Sequence, residues 1–133
     1  MWRIDFTSDK FLPFLPEEEQ PNPACYGFEL AYWLARQLAQ CDIYTSYPVA
    51  DEWGWHLELE DHDNEITIGC GCEAREGDGY AGKALPWFIF VRQYKRLNER
   101  LQGCKDVAKV RELANLVTGA LEDERIPALL TET

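Results

Sequence analysis

The residues best equipped for chemistry in this 133-residue chain are Cys70 and Cys72, His56 and His62, and a glycine-spaced run at Gly77, Gly79 and Gly82. Cys70-Gly71-Cys72 puts two sulfurs two residues apart, which in a strand places both on one face, where they could point at one metal ion. Zinc takes four ligands, commonly with cysteines separated by two to four residues. No second pair follows here; only His56, His62 and scattered cysteines remain to complete a set. The same two cysteines continue an apolar alternation through Ile66 and Ile68, so they read as small buried hydrophobes, and no metal or cofactor is expected. Nor does the spacing suit a redox pair. Dithiol chemistry uses C-x-x-C at a helix start, where the dipole lowers the thiol pKa, and a C-G-C strand lacks that device.

A general base needs a nucleophile or a reacting proton within hydrogen-bond reach. His56 falls on the polar face of a hairpin strand and His62 in its turn, and neither has a motif partner such as G-x-S-x-G or a cysteine nucleophile. Residues 77–82 match G-x-G-x-x-G. They follow Glu73, Glu76 and Asp78, however, and no helix pattern opens behind them, so a phosphate would meet negative charge rather than a helix N-terminus. That stretch reads as a flexible loop. Carboxylates are plentiful, but spacing alone picks out no acid pair of glycosidase type. The expectation is a non-enzymatic protein. The competing reading is a small enzyme or ligand-binding domain with a pocket near His56 and the 73–84 loop.

Charge is more informative than motif. With 13 basic and 24 acidic side chains the chain carries a formal charge of −11. Such a balance argues against direct binding to nucleic acid, which needs a basic face to neutralise phosphates. The negative charge is concentrated. Residues 51–78 hold Asp51, Glu52, Glu58, Glu60, Asp61, Asp63, Glu65, Glu73, Glu76 and Asp78 against Arg75 alone. Residues 92–111 reverse the sign, with seven lysines and arginines against Glu99 and Asp106. Like charges on neighbouring strands are unfavourable by some tenths of a kcal/mol per pair. So many acids on one hairpin call for compensation from packing or from a cationic partner. The docking reading assigns partner binding to Asp51, Glu52, Trp53, Trp55, Glu58, Glu60, Asp61, Asp63 and Glu65. Carboxylates would steer and accept hydrogen bonds, and exposed tryptophans would anchor. In the plainer reading the acids only solvate the outer face.

The elements that must position these residues follow from periodicity. Trp2, Ile4 and Phe6 alternate with polar neighbours and predict a strand over 2–7. Residues 8–23, with Pro13, Pro16, Pro21 and Pro23, predict an extended loop. Asn22 as cap and Pro23 as first residue open a helix to about 41, with Phe28, Ala31, Leu34, Leu38 and Cys41 on its apolar face. Ile43–Tyr47 predicts a strand ending at Pro48. Two hairpin strands come next: Trp53, Trp55, Leu57 and Leu59 share one face, Ile66, Ile68, Cys70 and Cys72 the other strand's, and Asp61–Asn64 makes the turn. Leu85–Val91 reads as a central strand buried on both faces. Residues 92–102 suggest a helical turn. A last helix runs from Asp106 to about 123, stopped by Pro127, with a frayed tail. The order β-α-β-β-β-β-α implies an α+β fold: a mainly antiparallel sheet of about five strands with two helices on one face.

Length and an apolar content of 46% fit one domain over residues 1–133 that folds without metal or disulfide. Five cysteines, an odd number, and the absence of an apolar N-terminal run predict a reducing, cytoplasmic setting. No stretch approaches the roughly 20 apolar residues of a membrane span.

Asp51-Glu52-Trp53-Gly54-Trp55 and Ile68-Gly69-Cys70-Gly71, with the helix Phe28-Glu-Leu-Ala-Tyr-Trp-Leu-Ala-Arg-Gln-Leu, resemble a group of small uncharacterised bacterial proteins. That group pairs an F-x-x-x-L-A-x-x-L-A helix with an acidic E-D-W-G-W strand and an I-G-C-G strand. The resemblance covers about residues 28–72, implies no activity and transfers no functional residue. In type, a small acidic protein without a catalytic motif is similar to bacterial immunity and inhibitor proteins, which bind a toxin's active-site face by charge complementarity. A basic protein partner, such as a toxin or a nucleic-acid-acting enzyme, is the corresponding expectation.

Overall fold

Ile4 and Phe6 point into the core while Arg3, Asp5 and Thr7 point away, the period of two that makes Trp2–Ser8 a half-covered strand, β1. A computed structural model describes residues 1–61, 64–94 and 107–133 of the chain. Helix α1 (Phe28–Ala39) follows β1, then strands β2 (Val49–Asp51), β3 (Gly54–Asp61), β4 (Asn64–Cys72) and β5 (Leu85–Tyr94), helix α2 (Val107–Asp123) and strand β6 (Ala128–Glu132). The strands form one six-stranded sheet in the order β2-β3-β4-β5-β1-β6. Every neighbouring pair is antiparallel. The fold is α+β.

Both helices cover the same face. Helix α1 packs on β3 and β4, and α2 packs on β5, β1 and β6. The layer between them is fully apolar: Leu30, Leu34 and Leu38 of α1 and Leu113, Val117 and Leu121 of α2 meet Ile4, Leu57, Ile68, Ile89 and Val91. Burying each such side chain contributes about 1.5–3 kcal/mol. Trp87 closes the layer beneath β1, its indole N–H donating to the Ser8 carbonyl at 3.0 Å.

Several local expectations are corrected. Residues 43–47 form no strand. Pro48 lacks an N–H, and Ser46 makes the two bonds to β3: its N–H donates to the Glu58 carbonyl at 2.8 Å and its hydroxyl accepts from the Glu58 N–H at 3.0 Å. The edge strand is the shorter β2 beyond the proline. Helix α1 starts at Phe28 rather than Pro23, because Ala24 (φ 64°) and Gly27 (φ 150°) leave the helical region. Asn22 caps nothing; its amide is committed elsewhere, as described below. The tail is not frayed: Ala128–Glu132 pairs with β1 from Phe6 to Trp2, with Ala128 and Leu130 half-buried toward α2. Strand β5 runs on through Arg92 to Tyr94, and only its Trp87, Ile89 and Val91 side lies under helices. The rest of the 92–102 segment, the helix start at Asp106 and the turn residues His62 and Asp63 lie outside the described residues.

Candidate functional site

The sheet face opposite the helices carries the hairpin's charge, and the strand register arranges it in rows. One row runs Val49, His56, Gly69, Phe90, Arg3, Thr131 from β2 across to β6. The next row toward the hairpin tip holds Glu58, Thr67 and Arg92, and beyond it Glu60 stands opposite Glu65. No lysine or arginine occurs between Arg36 and Arg75, so the β2–β4 half of this face is acidic throughout. Arg3 and Arg92 lie only on β1 and β5.

Glycines decide how the middle of the face is built. A Cβ on Gly69 would stand 2.2 Å from the Phe90 ring and 2.6 Å from Cη2 of Trp53; a Cβ on Gly71 would stand 2.3 Å from the Phe88 ring. The two phenyl rings therefore lie flat across β4, and the indole of Trp53 leans over Gly69 with its centroid 5.0 Å from that of Phe90. Arg3 covers Phe88 at 4.6 Å, and Arg92 covers Phe90 at 5.5 Å, cation–π contacts that shield the rings from water. The I-G-C-G pattern thus serves both faces, Ile68 and Cys70 toward the helices and the glycines as a floor for aromatic rings.

The two tryptophans of W-G-W do not share a face. Asp51 pairs with Gly54, which makes Glu52-Trp53 the central pair of a tight hairpin turn, and Trp53 swings to the open face. Trp55, 9% exposed, belongs to the core, and its indole N–H donates to Gln20 Oε1 at 3.2 Å. The turn is clamped from the loop before α1: the Asn22 amide donates to the Glu52 carbonyl at 2.7 Å, and the Cys25 thiol reaches the same oxygen at 3.3 Å.

Of the expected partner-binding residues, Glu52, Glu58 and Glu60 are exposed, Asp51, Trp53 and Glu65 are half-buried, and Trp55 is buried. Asp61 ends β3, and Asp63 lies outside the described residues. His56 is braced by acids on both ring nitrogens, Nδ1 lying 3.6 Å from Asp51 and Nε2 3.1 Å from Glu58. Since the two carboxylates sit on opposite sides of the ring, they cannot converge on one ion. Among the described residues no group of three histidine, cysteine or acidic side chains is placed to hold a metal.

Nor are His56 and the 73–84 loop brought together. Glu73 reaches Arg3 at 2.7 Å, three strands from His56, and the Gly77 N–H turns toward the proline-rich loop to donate to Glu17 Oε1 at 2.9 Å and to the Tyr26 hydroxyl at 3.2 Å. Two clefts of about 330 and 470 Å³ flank Tyr44, and a third of about 370 Å³ runs between the helices; none of the three includes His56. Burial pushes the Cys70 thiol well up, and burial with the charges of Asp78 and Glu73 pushes Cys72 up to about 12. Both are inert thiols at neutral pH.

The exposed aromatics escaped sequence reasoning. Phe14 (75% exposed), Tyr32 (44%) and Tyr47 (67%) gather around the half-buried ring of Phe28, which in turn abuts Trp55 at 5.2 Å. Tyr47 and Val49 bring this cluster round the β2 edge to the acidic face. The available signal was Tyr47-Pro48: proline has no N–H for a sheet ladder, which leaves the tyrosine before it beside the edge rather than in it. No membrane-spanning helix occurs among the described residues. No protein-family model, curated protein or solved structure matches the chain.

Proposed function

We propose that this protein is a non-enzymatic docking module of the immunity or inhibitor type, which engages a basic toxin or nucleic-acid-acting enzyme through the acidic β2–β4 face. The observation that carries this reading is the register: Asp51, Glu58, Glu60 and Glu65 share one sheet face with no lysine or arginine on those strands. A face of one sign raises the encounter rate with a cationic protein and selects against anionic ones. Anchoring falls to the exposed Tyr47 at the bordering edge and to the half-buried Trp53 rather than to Trp55. Aromatic residues of this kind supply contact area at small entropic cost.

The test is capture of partners by the tagged protein from its native host, at low and moderate salt. One basic protein is expected at low salt, and its capture is expected to disappear in Glu58→Lys/Glu60→Lys/Asp63→Lys. Retention of that partner by the triple variant would overturn the reading.

A further inference from the structure

The two edges of the sheet are finished differently. Strand β2 is three residues long, follows Pro48 and ends in a tight turn, so it presents little to an incoming strand. Strand β6 reads A-L-L-T-E over five residues; it too follows a proline, Pro127, but it is longer than β2 and does not run into a tight turn. Its ladder with β1 is fixed at one end, where the Thr133 N–H donates to the Met1 carbonyl at 2.8 Å and the Met1 amine to the Thr133 carbonyl at 3.4 Å. Pairs that exchange both bonds alternate along an antiparallel ladder. Arg3–Thr131 and Asp5–Leu129 are therefore the bonded pairs. The N–H and C=O groups of Ala128, Leu130 and Glu132 point the other way, to the side where no described strand lies.

We infer that this edge pairs with the same edge of a second copy, antiparallel about a two-fold axis at Leu130. In that register Leu130 faces the partner's Leu130 and Ala128 faces the partner's Glu132. All three outward residues then fall in bonded pairs, and about six backbone hydrogen bonds form. Neighbouring registers are worse. An axis at Glu132 sets like charges against each other. An axis at Ala128 needs the backbone of Ile126, which is buried and whose N–H already donates to the Leu121 carbonyl at 3.0 Å. Leu129, 64% exposed on the open face, comes to lie beside the partner's Thr131 and is covered. Because β6 is the edge farthest from β2, the dimer keeps both acidic faces free, one at each end of a continuous sheet. At −11 per chain the copies repel, so the pairing strengthens with salt.

Sedimentation equilibrium of the full chain at about 0.5 M salt tests this, because the long-range repulsion is then screened. Ala128→Lys places a cation opposite the partner's Glu132 twice, and Ala128→Glu places an anion there twice. The dissociation constant is expected to fall in the first and rise in the second, each by about 2- to 30-fold. Thr7→Lys, with the same charge change as Ala128→Lys but one strand in and on the opposite sheet face, is expected to leave it within about twofold. Amide exchange of the wild type needs no variant: the Leu130 and Glu132 amides slow as concentration rises, while those of Leu129 and Thr131, bonded to β1 in either state, do not. A chain that stays monomeric to about 1 mM overturns the inference. So does a dimer whose Leu130 amide exchanges as in the monomer, or one on which the two Ala128 variants act in the same direction.

Discussion

Replacing Gly69 by alanine is expected to destabilise the fold, although most glycine-to-alanine changes in a regular element do the opposite. The added methyl would stand 2.2 Å from Phe90 and 2.6 Å from Trp53. Ordinary carbon–carbon contact lies at about 3.5–4 Å, so both rings must retreat by roughly an ångström or more. Overpacking of this kind costs about 1–3 kcal/mol. The loss of unfolded-state freedom returns about 0.4–1 kcal/mol. The net expectation is a destabilisation of about 1–2 kcal/mol, or roughly 3–8 °C in Tm. Gly119 in α2 provides the contrast, since nothing lies within 4 Å of its added Cβ. There alanine is expected to stabilise by about 0.5–1 kcal/mol through helix propensity alone. Urea unfolding of both variants, followed by circular dichroism, reads the two signs side by side. Equal stabilisation by Gly69→Ala and Gly119→Ala would refute the glycine-floored arrangement of Trp53 and Phe90.

Thiol labelling near pH 8 is expected to modify exposed Cys41 in the native state and to spare Cys70 and Cys72, whose burial disfavours the thiolate; native labelling of Cys70 as fast as Cys41 would contradict the packing of β4 under α1. Tyr26→Phe removes the hydrogen bond to Glu17 at 2.9 Å and the acceptor of the Gly77 N–H at 3.2 Å, and is expected to cost about 1.5–3 kcal/mol near neutral pH. Burial, and secondarily Glu17, raise the Tyr26 phenol from 10 to about 12, so the folded chain holds that proton more tightly than the unfolded one. The wild type's advantage is therefore complete below pH 10 and shrinks as pH rises toward 12. A gap between wild type and variant that widens over that window would be the wrong sign.

The α+β architecture was legible in the sequence because most elements have unambiguous periods: Ile4 and Phe6 at two, Leu30, Leu34 and Leu38 near 3.6, and Leu57 and Leu59 against Ile66 and Ile68 at two. Failures occurred where one residue's backbone decides the geometry. Trp53 and Trp55 look like members of one strand face until Asp51 and Gly54 are seen to close a two-residue turn, a reading that D-x-x-G itself permits. The helix start was displaced because Ala24 adopts a left-handed conformation that its residue type does not announce. Strand β6 was missed because A-L-L-T-E is too short to show a period, and its partner β1 lies more than a hundred residues earlier. The acidic face survived these errors, since Glu58, Glu60 and Glu65 depend only on the register of β3 with β4.

The central claim is that the acidic β2–β4 face is where this protein meets its partner. Hydrogen–deuterium exchange of the captured complex against the free chain tests it most directly. The account predicts new protection over residues 44–60 and 65–69, including the turn at Glu52, with α2 and the 73–84 loop unchanged. Protection confined to the helices, or to the 73–84 loop, would contradict it.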